Sequence, residues 1–206
     1  MMLPTTSQLP IASPLANTLP HYKDMQEQPQ TVGMAEITNW HHLHIRGMGA
    51  EAVLSNTYSM SQIAIGAVTT VSDGILVRLR RDEFLLLTSD LNPAMKQLTS
   101  KHGEALFTLT DITGGRAVIC VGGVCAPEVL PKVCGLDFTD SEFPNRYAAQ
   151  TSLAKVRALI VRLDTAQAPA YYLIVDRSLA AYVWDVVYDA TQEFGGVVLS
   201  QELLRK

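Results

Sequence analysis

The stretch "ITNWHHLHIRGMGAEAVLS" (residues 37–55) decides how the chain is read, because its pattern occurs twice. The second occurrence is "ITGGRAVICVGGVCAPEVL" (residues 112–130). Both open on Ile-Thr and run through an apolar strand pattern. Both reach a glycine ten residues after the isoleucine (Gly47 and Gly122) and enter a short helix carrying Val-Leu (Val53-Leu54 and Val129-Leu130). The offset is 75 residues and slips to 76 in the helix.

The likeness continues downstream. "ILVRLRRDEFLLLTS" (75–89) reads as two apolar strands joined by a charged turn, and "LIVRLDTAQAPAYYLIVD" (159–176) reads as the same hairpin with a longer turn. Each hairpin leads to a helix. Asn92 is placed to cap the first, with Pro93 at the first helical position, where its missing N–H costs nothing. Ser178 is placed to cap "LAAYVWDVVYDATQEF", and Gly195-Gly196 to end it. The spacing therefore predicts two β-α-β-β-α units, about residues 35–102 and 110–195, within one domain over 34–206. Such units form an antiparallel sheet with helices on one face, so the expected class is α+β. Five of the ten prolines fall before residue 30. Residues 1–33 are expected to form an extended, mostly unstructured arm.

Composition narrows the function classes. With 206 residues, 48% of them hydrophobic, the chain can bury a sizeable core. A net charge of −4, with no Lys/Arg stripe interleaved with aromatics, speaks against nucleic acid as a partner. No apolar run approaches the length of a membrane span. The N-terminus lacks a basic segment and its apolar stretches are broken by prolines, so a secretory signal is not expected and a cytoplasmic location is. Cys120, Cys125 and Cys134 are odd in number and lack CxxC spacing, which predicts free thiols rather than a disulfide framework or zinc ribbon.

Three of the five histidines, His41, His42 and His44, stand within four residues. Strand alternation puts His42, His44 and Arg46 on one face and Leu43 and Ile45 on the core side, with Val118 and Cys120 as their counterparts in the second repeat. His41 points away from His42, so the three cannot converge on one ion, and a metal site needs three or four convergent ligands. The histidine face is expected to meet solvent or a partner. Gly47 and Gly49 follow a strand and precede a helix. The third glycine of a dinucleotide fingerprint is missing, so close backbone packing is the simpler account. No HExxH, P-loop or Ser/His/Asp order stands out. Asp111 reads as a turn or cap residue.

The second half then resembles a known family. The residues that carry the likeness include Gly115-Arg116, Val129-Leu130, Cys134, Leu136-Asp137, Phe143-Pro144, Gln150-Thr151, Leu153-Ala154-Lys155, Arg162, Arg177-Ser178, Tyr182, Trp184 and Glu193-Phe194-Gly195. Over roughly residues 105–195 the chain is similar to the gamma subunit of heterotetrameric sarcosine oxidase and the equivalent subunit of N-methylglutamate dehydrogenase. That family in turn looks like the folate-binding domain of the glycine-cleavage aminomethyltransferase. There an acidic residue precedes the first hairpin, a place held here by Asp73 beside Ser72. A Tyr-Thr-Gly-Glu run in the second hairpin lines the folate pocket there; here that turn reads "RLDTAQAPAYY", and the run is gone.

The resemblance implies a non-catalytic structural subunit with no cofactor of its own. FAD, FMN, NAD and tetrahydrofolate would be held by a large alpha subunit and a flavin-bearing beta subunit of a complex that oxidatively demethylates N-methyl amino acids. A free-standing folate-binding or aminomethyltransferase-like protein is the alternative, and an orphan scaffold with another partner a third. A helical wheel supplies an interface expectation. Leu179, Val183, Val186, Val187, Ala190 and Phe194 form an apolar stripe. Trp184 and Tyr188 fall off it, as two exposed aromatics suited to partner contact or as a margin covered by the N-terminal arm.

Overall fold

The computed structural model describes residues 12–19, 31–37, 40–101, 103–166 and 168–199. The first half runs β1 (Gly33–Glu36), β2 (His41–Arg46), α1 (Ala50–Tyr58), β3 (Val68–Val71), β4 (Gly74–Arg80), β5 (Glu83–Thr88), α2 (Leu91–Ser100) and β6 (Thr108–Asp111). The second half runs β7 (Arg116–Gly122), α3 (Ala126–Val129), β8 (Ala148–Leu153), β9 (Val156–Arg162), β10 (Ala170–Asp176), α4 (Ala180–Gln192) and β11 (Val197–Val198). Both expected hairpins are present, as β4–β5 and β9–β10. The α+β class holds, with one refinement: each half builds its own sheet. The orders are β3-β4-β5-β2-β6 and β11-β1-β7-β10-β9-β8. Pairing is antiparallel except between β1 and β11.

The sheets stack in the middle of four layers. Leu43, Ile45, Leu76, Phe84 and Leu86 pack with Leu54 of α1 and Leu98 of α2. Ile119, Val121, Tyr171 and Leu173 pack with Val129 of α3 and Val183 of α4. Between the sheets lie Val77, Leu85 and Leu87 from one side and Val118, Cys120, Val161 and Ile174 from the other. A central strand thus buries both faces, which is why "AVICV" and "YYLIV" show no polar alternation.

The halves exchange one strand. β1 and β6 stand at equivalent places, just ahead of β2 and β7, yet β1 pairs with β7 and β6 with β2. This reciprocity corrects the register read from sequence. Ile37 N–H donates to the Val118 carbonyl at 2.9 Å, and Ile112 N–H donates to the His42 carbonyl at 3.0 Å. The counterpart of His42 is therefore Val118, and that of Leu43 is Ile119. The slip to 76 falls before the strand, not in the helix. A one-residue slip sends every side chain to the opposite face.

The helix boundaries differ in detail from expectation. α2 begins two residues early: Asp90 is its cap, its carboxylate accepting from Asn92 N–H at 3.0 Å. Pro93 still sits in the first turn, where no intrahelical donor is needed. Ser178 does not cap α4, because a 3-10 turn at Arg177–Leu179 leads directly into it. Gly195 does end it, at φ +67°, with Gly195 N–H on the Gln192 carbonyl and Gly196 N–H on that of Thr191, the Schellman pattern.

The arm expected over 1–33 is placed in part. Residues 12–19 form turns against the second half, with Leu15 fully buried in the core beside α3 and α4. Ser13 donates to Glu36 at 2.5 Å, and Arg177 donates to the Ala12 carbonyl. Thr31 and Val32 lead into β1, where Gly33 already pairs. An apolar residue every few positions makes those segments ordered where they meet the sheet. The remainder of 1–33 lies outside the described residues.

Candidate functional site

Strand β2 turns His42 and His44 toward the second sheet rather than to solvent, while His41 lies on the face of Leu43 and Ile45. Leu43 and Ile45 do face α1 and α2, as alternation required. The opposite face is covered by the second sheet, so the expectation of a solvent- or partner-facing strand is corrected. His42 is only 2% exposed, and neither ring nitrogen has a hydrogen-bond partner among the described residues. Burial, then the nearby Arg116 charge, lowers its pKa to about 4. His44 Nε2 lies within hydrogen-bond distance of Glu83 Oε1, at 2.9 Å. Among the described residues no three His, Cys, Asp or Glu side chains gather as metal ligands.

Asp73 accepts from the Tyr58 hydroxyl of α1 at 3.0 Å. Burial and this bond hold the Tyr58 phenol protonated far above its ordinary range. Ile75, two residues on, packs against the inter-sheet core together with Leu163, the first residue of the second hairpin turn. Trp40 stacks on Tyr172 in the same region, ring centres 4.8 Å apart. That end of the sheet interface is filled by side chains.

The second hairpin turn is closed from within. Arg162, 4% exposed, donates from Nε and Nη2 to the two Asp164 oxygens at 2.9 and 3.0 Å. Its Nη1 reaches Asp140 at 2.6 Å and the Phe143 carbonyl at 2.7 Å. The guanidinium also lies 5.5 Å above the Tyr171 ring. Asp164 N–H is held in turn by Asn145 at 3.0 Å. The turn thus carries an acid, Asp164, folded back on its own strand. The sequence reading missed Asp164 in this role; the paired "VR" of the two hairpins was the available signal.

The interface expectation on α4 changes. Trp184 is fully buried, so it is not an exposed aromatic. The inward stripe is Ala180, Val183, Trp184, Val187, Ala190 and Thr191, turned from the expected one, while Val186 and Phe194 are half-buried. The reason is that α4 beds on α3 and the turn after it as well as on the sheet, and the indole, the largest apolar group on the helix, takes the deepest place. Tyr188 is half-buried at the margin of that core. Asp111 behaves as expected, its carboxylate accepting from Thr113 N–H at 2.9 Å. The three thiols are free, and burial pushes that of Cys120 up to about 12.

Two stacked sheets with helices outside, joined by exchanged strands, define a class. The family described as the GCVT N-terminal domain matches residues 21–202, and the chain belongs to it. Within that class it is similar to sarcosine oxidase subunit gamma of Corynebacterium sp. (strain P-1), 26% identical over 148 residues, covering 72% of this chain and 71% of that one. It is also 26% identical over 193 residues to the alpha subunit of the same strain, but spans only 20% of that protein. A chain of the heterotetrameric sarcosine oxidase from Corynebacterium sp. U-96 superposes with TM-score 0.76 and 25% identity, over 89% of this chain and 95% of that one. The aminomethyltransferase T of Bartonella henselae shares the fold, at TM-score 0.67 and 14% identity, over 84% of this chain and 49% of that one.

Proposed function

We propose that this chain is a non-catalytic structural subunit of a heterotetrameric flavoenzyme that oxidatively demethylates sarcosine or a related N-methyl amino acid. The observation that carries the reading is coverage of 95% of a chain of heterotetrameric sarcosine oxidase at TM-score 0.76. The second hairpin, held shut by Arg162 and Asp164, supports it by leaving the folate motif without its residues. In this reading FAD, FMN, NAD and tetrahydrofolate belong to a large alpha and a flavin-bearing beta subunit in the cytoplasm. No helix among the described residues is long and apolar enough to cross a membrane. Tyr188 at the edge of α4 serves as a partner contact, while Trp184 holds the helix from beneath.

Native mass spectrometry of the tagged chain purified from its own cells tests this. The expected result is an assembly with a large and a medium flavin-bearing subunit that turns over an N-methyl amino acid. Tyr188→Ser is expected to lower the assembled fraction without unfolding the chain. Arrival as a lone, colourless protein that binds tetrahydrofolate tightly would overturn the reading in favour of a free-standing folate-binding protein.

A further inference from the structure

The two sheets part at the end opposite Asp73. There they enclose a cleft of about 260 Å³, close to the lower end of the roughly 300–1,000 Å³ typical of small-molecule sites. The cleft takes Leu79 and Arg80 at the end of β4, a strand that Asp73 precedes. At about 3.3 Å per residue this is roughly 20 Å along the strand from Asp73. In the second sheet it takes Arg157 and Leu159 near the start of β9, again away from the turn that follows that strand. It is therefore separate from the places where the family's folate motifs fall.

Its lining is divided. Leu85, Leu159 and Ile174 supply an apolar floor, and Arg46, Arg80, Arg116 and Arg157 are gathered around it with His44. Glu83 is the one carboxylate in the lining, in a chain whose net charge is −4. Glu83 is already engaged by His44 at 2.9 Å and Arg80 at 3.5 Å, and Arg116 is paired with Asp176. Arg46 and Arg157, one from each sheet, have no carboxylate partner among the described residues. Like charges held at one cleft repel unless an anion is shared between them, and a guanidinium fork matches a carboxylate in two parallel bonds.

We infer that this cleft binds a small organic anion with one carboxylate and an apolar body. The carboxylate sits between Arg46 and Arg157, and the body lies on the Leu85–Leu159–Ile174 floor. Both arginines are exposed at the mouth of the cleft, where an incoming anion reaches them first. The site binds without reacting, since no nucleophile or free base is among its lining residues.

Heteronuclear NMR titration of the full-length chain tests this with three probes: benzoate, benzamide and inorganic phosphate. Benzoate is expected to shift cleft amides saturably. Benzamide, the same shape without charge, and phosphate, charge without an apolar body, are expected to bind at least about tenfold more weakly, a difference of roughly 1.4 kcal/mol. The double variant Arg46→Gln/Arg157→Gln is expected to lose about tenfold in benzoate affinity at unchanged melting temperature. Equal binding of benzoate and benzamide, phosphate matching benzoate, full affinity in the double variant, or no saturable shift would each overturn the proposal.

Discussion

Arg78 and Arg162 hold the same place in the two hairpins, each the fourth residue of an apolar run ("ILVR", "LIVR"), and both are 4% exposed. Each lies over a ring on the neighbouring strand, Phe84 at 5.2 Å and Tyr171 at 5.5 Å. Their partners differ. Arg78 meets Glu51 of α1 at 2.6 and 3.0 Å, and the carbonyls of Ile63, Arg80 and Arg81 at 2.7, 3.2 and 2.7 Å. It therefore fastens a helix to its hairpin. Arg162 meets Asp164 inside its own turn and Asp140 in the loop before β8, and so fastens the one to the other. A buried guanidinium must have its donors satisfied. Two copies of one unit met that demand with different neighbours: the first drew on a helix, the second on its own turn and the loop before β8.

The largest expected effect lies where the halves differ most in bulk. Trp184→Ala removes a fully buried indole and is expected to cost about 3–5 kcal/mol, read by urea unfolding. The corresponding outer helix of the first half, α2, buries only Leu91, Ala94 and Leu98, and Leu98→Ala is expected to cost about 3 kcal/mol. A Trp184→Ala cost below that of Leu98→Ala would show that the indole is not the anchor of α4.

Next come the arginines. Arg78→Ala and Arg162→Ala each remove a buried guanidinium stem with its ring contact and hydrogen bonds and are expected to cost about 2 kcal/mol. What separates them is location, read by hydrogen exchange. Arg162→Ala is expected to speed exchange in the 163–169 turn and the loop at Asp140–Asn145. Arg78→Ala is expected to loosen α1 and leave that turn protected. The reverse pattern would break the comparison.

A third difference is electrostatic. His42 faces the other sheet where the second half has Val118. Its folded pKa of about 4 lies below the ordinary 6.5. Between those values the unfolded chain binds the proton and the folded chain does not, so stability rises with pH across that window and is lost on acidification from 6.5 toward 4. The whole effect is about 3 kcal/mol. Glu36, buried nearby, acts in the opposite sense: burial raises its pKa, so its contribution falls as pH rises through the carboxylate range. His42→Val, copying the second half, is expected to remove most of the acid loss. Urea midpoints at neutral pH and near pH 4.5 measure it, and an unchanged acid slope would exonerate His42.

How far the sequence carried can be judged at particular residues. Periodicity sufficed for the hairpins, because Ile75–Leu79 and Leu159–Leu163 repeat as apolar runs and each pairs locally. It did not reveal that β1 and β6 trade sheets, since partners about 60 to 90 residues apart leave no local mark. That exchange decides which face of β2 is covered, and so it decided the fate of His42. Trp184 was misplaced for a related reason: a wheel ranks faces by apolarity, and the face of α4 that is buried depends on α3 and Leu15, distant in the chain. At the candidate site, Asp73 was legible as a motif position and the altered turn as a motif departure. The closure by Asp164 needed three dimensions, because Asp140, Phe143 and Asn145 approach only once the loop before β8 is folded.

The smallest expected effect discriminates most sharply between the two registers. Gly47 and Gly123 adopt φ of +141° and +128°, and a Cβ on either would fall within 3.0 Å of a backbone carbonyl, that of Leu106 or of Thr31. Those same carbonyls accept from Gly49 N–H and Cys125 N–H, both at 3.1 Å. Leu106 and Thr31 each stand just ahead of an exchanged strand. The two glycines therefore pin the two exchanges, and Gly47→Ala and Gly123→Ala are each expected to cost more than about 1 kcal/mol. Gly122, the counterpart suggested by the repeat alone, has no neighbour closer than 3.7 Å to an added Cβ. Gly122→Ala is expected to change stability by less than about 0.5 kcal/mol. A costly Gly122→Ala beside a harmless Gly123→Ala would restore the offset of 75 through the strand. It would turn Val118 back toward the helices and remove the basis for pairing it with His42.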